Sequence, residues 1–203
     1  MPALTRRIAF LAALLLLTCG HVALARESKV FEYHGWRVDA SLVPNESREA
    51  VMGPVQQQLD AIERFGIAQD IVLFMRTVPL QVNPAQSEPA HYDRAKGIDF
   101  RLDALDPRKP ILLHELLRAF QAQKLGADEK TIAKAFQESR DSGMWPADAG
   151  MLKSAPDFFA ATATVYLFGT IDTPPFTQGR VHQAQAEYWK WLGEVFDGFR
   201  GCE

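Results

Sequence analysis

Apolar residues recur along this chain with two different periods, and the change from one to the other divides it. Residues 30–42 (VFEYHGWRVDASL) alternate loosely between apolar and polar, which predicts one or two short strands. Over 44–65 the apolar positions Val51, Val55, Leu59, Ile62 and Phe65 lie three and four apart. That is the spacing of an amphipathic helix, with Gly66 as its stop. The apolar run 71–75 (IVLFM) reads as a short buried strand and 78–82 as a second. Residues 83–96, rich in Pro, Ser and Asp, read as a surface loop, and 97–102 alternates as an edge strand would.

Beyond Pro110 the pattern becomes helical. In 111–126 the apolar residues Ile111, Leu112, Leu113, Leu116, Leu117, Phe120 and Leu125 cover more than half of a helix circumference, so this helix is expected to be central and mostly buried, closed by Gly126. Residues 128–139 predict an amphipathic helix through Ile132, Ala135 and Phe136, and 143–153 reads as irregular. A second apolar helix is expected over 156–169, with proline suited to its first turn and glycine to its end. Pro174 and Pro175 break the chain before a last helix over 181–199, carrying Tyr188, Trp189, Leu192, Val195, Phe196 and Phe199. A small sheet followed by several helices makes an α+β domain.

The N-terminal residues do not belong to that domain. Arg6 and Arg7 precede the apolar run 8–18, which is too short to span a bilayer, and Ala23-Leu24-Ala25 supplies an A-x-A cleavage site. A signal peptide over 1–25 and a single exported domain over 26–203, periplasmic or extracellular, are expected. The competing reading, a lipoprotein anchored at Cys19, is disfavoured because Thr18 stands where a small residue is wanted. Loss of the leader takes the formal charge from −3 to −5, which gives no hint of nucleic acid as a partner. It also leaves Cys202 as the only cysteine, and one cysteine cannot form an internal bridge. No further apolar run in 26–203 is long enough for a membrane span. Core packing must therefore stabilise the domain.

The candidate chemistry lies on the central helix, in His114-Glu115-Leu116-Leu117-Arg118. In the H-E-x-x-H motif, two histidines one turn apart reach a single Zn²⁺ while the glutamate acts as general base on metal-bound water. Here the fourth residue after His114 is Arg118, a permanent cation with no lone pair to donate. Neither a Gly-rich phosphate loop, a Ser/His/Asp arrangement nor a Cys/His pairing is apparent.

The neighbours of this pentapeptide carry a family resemblance over roughly 78–199. HELLRAFQAQKLG resembles the HELxHAxHxxxLG-like helix of zincins related to the anthrax lethal factor catalytic domain. Further along, Asp157-Phe158-Phe159-Ala160-Ala161 resembles that family's E-F-F-A-E segment. Upstream, Ala90-His91-Tyr92 followed by Gly97 is similar to its A-x-Y…G stretch. The resemblance implies a zincin-like metallopeptidase fold with a cleft above the His114 helix. By position, His114 corresponds to the first zinc ligand, Glu115 to the general base, and Asp157 to the glutamate ligand, one methylene shorter. Arg118 replaces the second ligand, Ala161 a second-shell acid, and Gly150 the tyrosine that assists the oxyanion.

Two readings follow. In the first, the chain is a catalytically inactive homologue of zinc metallopeptidases, with vestigial His114, Glu115 and Asp157, no cofactor, and a cleft able to hold a peptide or protein along an edge strand. Arg118, three residues from Glu115, would then replace the metal's positive charge, pairing bidentately with a carboxylate. In the second, the chain is an active zinc hydrolase that uses His114, Asp157 and a third ligand, with Glu115 as base; His182 is one candidate for that ligand. The plain structural readings stand beside both. A lone histidine on an apolar helix is usually a packed core residue, and an aspartate in the first turn of a helix is stabilised by about 0.3–1 kcal/mol from the helix dipole alone.

Overall fold

In the computed structural model, residues 29–44, 46–126 and 129–197 are described. The expected leader with Cys19, and Cys202, lie outside them. The chain forms, in order, β1 (Val30–Tyr33), β2 (Trp36–Asp39), α1 (Arg48–Arg64), α2 (Gln69–Thr77), β3 (Leu80–Val82), β4 (Ala90–Asp93), β5 (Gly97–Phe100), α3 (Ile111–Phe120), α4 (Lys130–Asp141), α5 (Ala155–Phe168), α6 (Gln178–Ala184) and α7 (Ala186–Phe196). The strands make one mixed sheet in the order β1-β2-β3-β5-β4. β2, β3 and β5 run parallel, while β1 and β4 lie antiparallel at the two edges. The fold is α+β.

Several elements follow directly from the pattern. The first hairpin turns on His34 and Gly35, both at positive φ (48° and 83°), the conformation a two-residue hairpin loop demands. α1 begins where the Ser47 side chain accepts the Ala50 N–H at 3.1 Å. It buries Val51, Val55, Leu59 and Ile62, as their spacing requires. Its one buried polar side chain, Gln58, has a positioning task. The amide donates to the carbonyls of Asp106 (2.7 Å) and Lys109 (2.9 Å) and accepts the Leu112 N–H (3.3 Å), which holds the first turn of α3 in place.

Four expectations are corrected. Residues 71–75 belong to α2: Ile71, Val72 and Met75 are buried at helical spacing while Leu73 is 52% exposed, so a continuous apolar run concealed a 3.6-residue period. The stretch 83–96 is not all loop, because it contains β4, whose Ala90 and Tyr92 are buried in alternation. β5 is accordingly interior, between β3 and β4, and it is β4 that forms the edge. The turn joining them closes at Gly97, with φ 98°, where any side chain would place its Cβ 2.4 Å from the Pro79 carbonyl oxygen. Finally, 181–199 is not one helix. Gln185 adopts φ −151°, ψ 68°, and separates α6 from α7.

α3 and α5 are the two central helices. Buried residues surround α5 from Phe158 to Val165, and α3 is buried on most of its circumference. A helix apolar all round requires neighbours all round. α3 packs against α5 on one side and β4 on another, and the candidate site lies between these three. It ends in one wider turn, Gln121–Leu125, where Gly126 N–H bonds Gln121 C=O at 2.9 Å.

Candidate functional site

α3 presents His114, Glu115 and Arg118 within one turn, and the apolar residues before and between them (Leu112, Leu113, Leu116, Leu117) fix the helix rotation by entering the core. Asp157 arrives from the first turn of α5. Ser154 caps that helix, accepting the Asp157 N–H at 3.2 Å and donating its hydroxyl to Asp157 Oδ2 at 2.7 Å. The reciprocal pairing of a cap residue with an acid three positions on resembles a capping box and holds the carboxylate in one orientation.

Arg118 stands between the two acids. One guanidinium nitrogen lies 3.3 Å from Asp157 Oδ1, and Nε lies 4.0 Å from Glu115 Oε2. The expected bidentate fork is therefore not what forms. The guanidinium bridges, giving one nitrogen to each carboxylate, because the acids approach from different elements. The Glu115 side chain is only 8% exposed, against 29% for Arg118 and 24% for Asp157, so the glutamate is the member most dependent on its partners. Its Oε2 also accepts the Tyr92 N–H of β4 at 2.8 Å. Burial pushes the Glu115 pKa above its ordinary value; the Arg118 charge and the Tyr92 N–H oppose that shift.

His114 responds in the opposite sense. Burial first, then the Arg118 charge, bring its pKa from an ordinary 6.5 down to about 4, against a contrary pull from Asp157. The ring is neutral near pH 7. Its Nδ1 lies 3.4 Å from Thr164 Oγ1 on α5, and the Thr164 hydroxyl donates to the Ala160 carbonyl at 2.6 Å. A hydroxyl has one hydrogen, so with Thr164 donating to Ala160 a hydrogen bond across the 3.4 Å contact would be donated by Nδ1, in the tautomer that carries its proton there.

A cleft opens on both sides of His114. One lobe, of about 470 Å³, reaches from Ala90 on β4 past Ile111 and Thr164 to Ile171. The other, of about 280 Å³, lies over Asp157, Lys153, Gly150 and Ala161. A Cβ placed on Gly150 would meet nothing within 4 Å, so the lobe is open where the resemblance would set a tyrosine.

The remaining described histidines stay apart. His34 packs against Tyr33 in the hairpin turn, His91 pairs with Glu88 at 3.4 Å, and His182 packs against Trp189 with tilted rings whose centroids lie 5.8 Å apart. Among the described residues no three His, Cys, Asp or Glu side chains converge as a metal site would need. Of the ligand set that the resemblance implies, His114 and Asp157 are present at this site, and Arg118, a cation with no lone pair to donate, stands where the resemblance would set the third.

Arg118, Glu115 and His114 are thus brought together as their spacing suggested, Asp157 joins them as the resemblance implied, and His182 does not. Tyr92 N–H, Thr164, Ser154 and Gln58 were not anticipated. Only Ser154 left a trace in the sequence, through the S-x-x-D spacing before an apolar run. No family model, no curated protein and no solved structure matches this chain. Among the described residues no helix is long and apolar enough to cross a membrane.

Proposed function

We propose that this chain is an exported, zincin-like domain that has exchanged its catalytic metal for an arginine and works by binding an extended peptide or protein segment in its cleft. The observation that carries the reading is the Arg118 guanidinium within 3.3 Å of Asp157 and 4.0 Å of Glu115, at the sequence position of a metal ligand. Two acids that would flank a metal keep a positive charge between them. Unpaired, a buried carboxylate costs several kcal/mol, roughly 3–5 in fully buried pairs, so a chain that retains the acids requires the cation. The leader pattern supports export, and the antiparallel edge strand β4 beside the cleft supports the mode of binding.

The test is the zinc content of the purified protein, residues 26–203 without a histidine tag, by elemental mass spectrometry after incubation with zinc. The expected result is no stoichiometric metal, together with no chelator-sensitive hydrolysis of casein. Arg118→His is expected to bring in one zinc per chain. One zinc bound to the unaltered protein, with casein hydrolysis abolished by a chelator and by Glu115→Gln, overturns the reading in favour of an active zinc hydrolase.

A further inference from the structure

One buried donor outside the cleft is left without an acceptor. The Trp145 side chain is 6% exposed, and its indole Nε1–H meets no acceptor among the described residues. Leaving a buried N–H unbonded is costly, and native structures rarely do so. Trp145 also walls a cavity of about 250 Å³, together with Met144, Arg180 and Gln183. None of these four residues lines either lobe of the cleft beside His114.

The other walls narrow the chemistry of an acceptor for that N–H. Arg180 and Gln183 lie three apart on α6, on one face of the helix. The Thr177 hydroxyl caps α6 and accepts the Arg180 N–H at 3.4 Å. The Arg180 guanidinium carbon lies 5.3 Å from the centre of the Phe176 ring, a contact that restricts the side chain without using its N–H donors. Among the described residues no carboxylate pairs with it. Arg180 is the one charged residue of the four that wall the cavity, and Gln183 adds an amide that can donate or accept. Met144, an exposed apolar side chain, and the indole ring supply apolar surface.

One cation, one unspent N–H and apolar walls match a single negative charge on an apolar stem. A carboxylate answers that description. Its oxygens suit the planar fork of a guanidinium and keep a lone pair for the indole N–H. A phosphate dianion would bring more charge than one arginine can pair.

We propose that this cavity is a second binding site, which takes a small carboxylate carried on an apolar stem and holds it by the Arg180 guanidinium and the Trp145 Nε1–H. It shares no lining residue with the cleft and does not rest on the peptide-binding reading.

The experiment is a titration of the nitrogen-15-labelled exported protein at pH 7, followed by the indole N–H resonances of its four tryptophans. Trp145→Phe identifies the Trp145 resonance by removing it, and the other indole signals report that the variant is folded. Butanoate is expected to shift the Trp145 resonance saturably. Butanamide, its neutral counterpart, should bind about tenfold more weakly, because the bond to a charged group is lost. Acetate should bind about fivefold more weakly than butanoate, for two methylenes that are partly buried. Inorganic phosphate should also be the weaker ligand. Arg180→Gln should weaken butanoate about tenfold. Trp145→Phe should weaken it about fivefold, the worth of one net hydrogen bond, read from the backbone N–H signals of α6. A Trp145 resonance that none of these probes moves marks an ordinary core indole and overturns the proposal. Equal binding of butanoate and butanamide, phosphate as tight as butanoate, or butanoate binding untouched by Arg180→Gln overturns it as well.

Discussion

The two lobes that flank His114 share a wall and differ in what fills them. On the Asp157 side the charges are satisfied internally: Arg118 spans two acids, and Ser154 holds one of them by 2.7 and 3.2 Å bonds. On the Ala90 side Ala90, Ile111 and Ile171 make much of the wall apolar, with Glu88, Lys109 and Asp172 also lining it. The first side closes its charges on one another, and the second is left open. The difference teaches that one site can satisfy its charges internally on one flank and keep an open lobe on the other.

Substitutions should separate the lobes accordingly, those on the charged side appearing in stability and those on the apolar side in binding. The largest effect is expected from Arg118→Met, which leaves Glu115 buried without its cation. A loss of about 2–3 kcal/mol in urea denaturation is expected, below the roughly 3–5 kcal/mol of fully enclosed pairs because Arg118 is partly exposed. Adding Glu115→Gln to Arg118→Met should recover a substantial part of that loss. Recovery of none would mean that the pair does not couple.

The acid side of the stability profile is the next test. His114 titrates at about 4 in the folded chain against 6.5 ordinarily, so between those values the unfolded chain binds a proton that the folded chain refuses. Stability is then full above pH 6.5 and falls as the pH drops towards 4, and His114→Gln should flatten that fall. Glu115 acts in the other sense. Its folded pKa is raised above 4.5, so the folded chain keeps a proton the unfolded chain has released, and stability falls as pH rises out of that range. Denaturation of Glu115→Gln across pH 4 to 7 should show this slope removed, with stability at pH 7 equal to or above that of the unaltered protein.

Smaller effects complete the contrast. Ser154→Ala removes the α5 cap and the Asp157 bond, and should lower the unfolding free energy by about 1 kcal/mol without changing peptide affinity. Gly150→Ala, entering open space on the charged side, should move stability by no more than about 0.5 kcal/mol. A change in peptide affinity from either would break the division of labour between the lobes.

Much of this arrangement was legible in the sequence, for identifiable reasons. The placement of Glu115 and Arg118 on one face depends on spacing within α3, and helical spacing is local information, whereas Asp157 was expected beside them only through the resemblance. The bridging geometry was not legible, because it depends on the angle at which α5 meets α3. α2 was misread because Ile71 to Met75 are all apolar, and only the exposure of Leu73 reveals the period. β4 was concealed by its turn-forming neighbours, and with it the Tyr92 N–H bond to Glu115, a contact between residues far apart in sequence. Thr164 gives no local sign at all. Its role exists only because α5 passes beside His114.

The Arg118 bridge also sets the thermodynamic variable that governs the charge at this site. A metal is present in proportion to its free concentration and its affinity, so the shape of a metal-built cleft follows supply and competition by mass action. A guanidinium attached to the backbone is not subject to that dependence. Its local concentration is set by folding, no chelator can extract it, and dilution leaves it in place. The positive charge at the centre of this cleft is therefore inherited with the chain rather than drawn from the surroundings, and it is present in every molecule that folds.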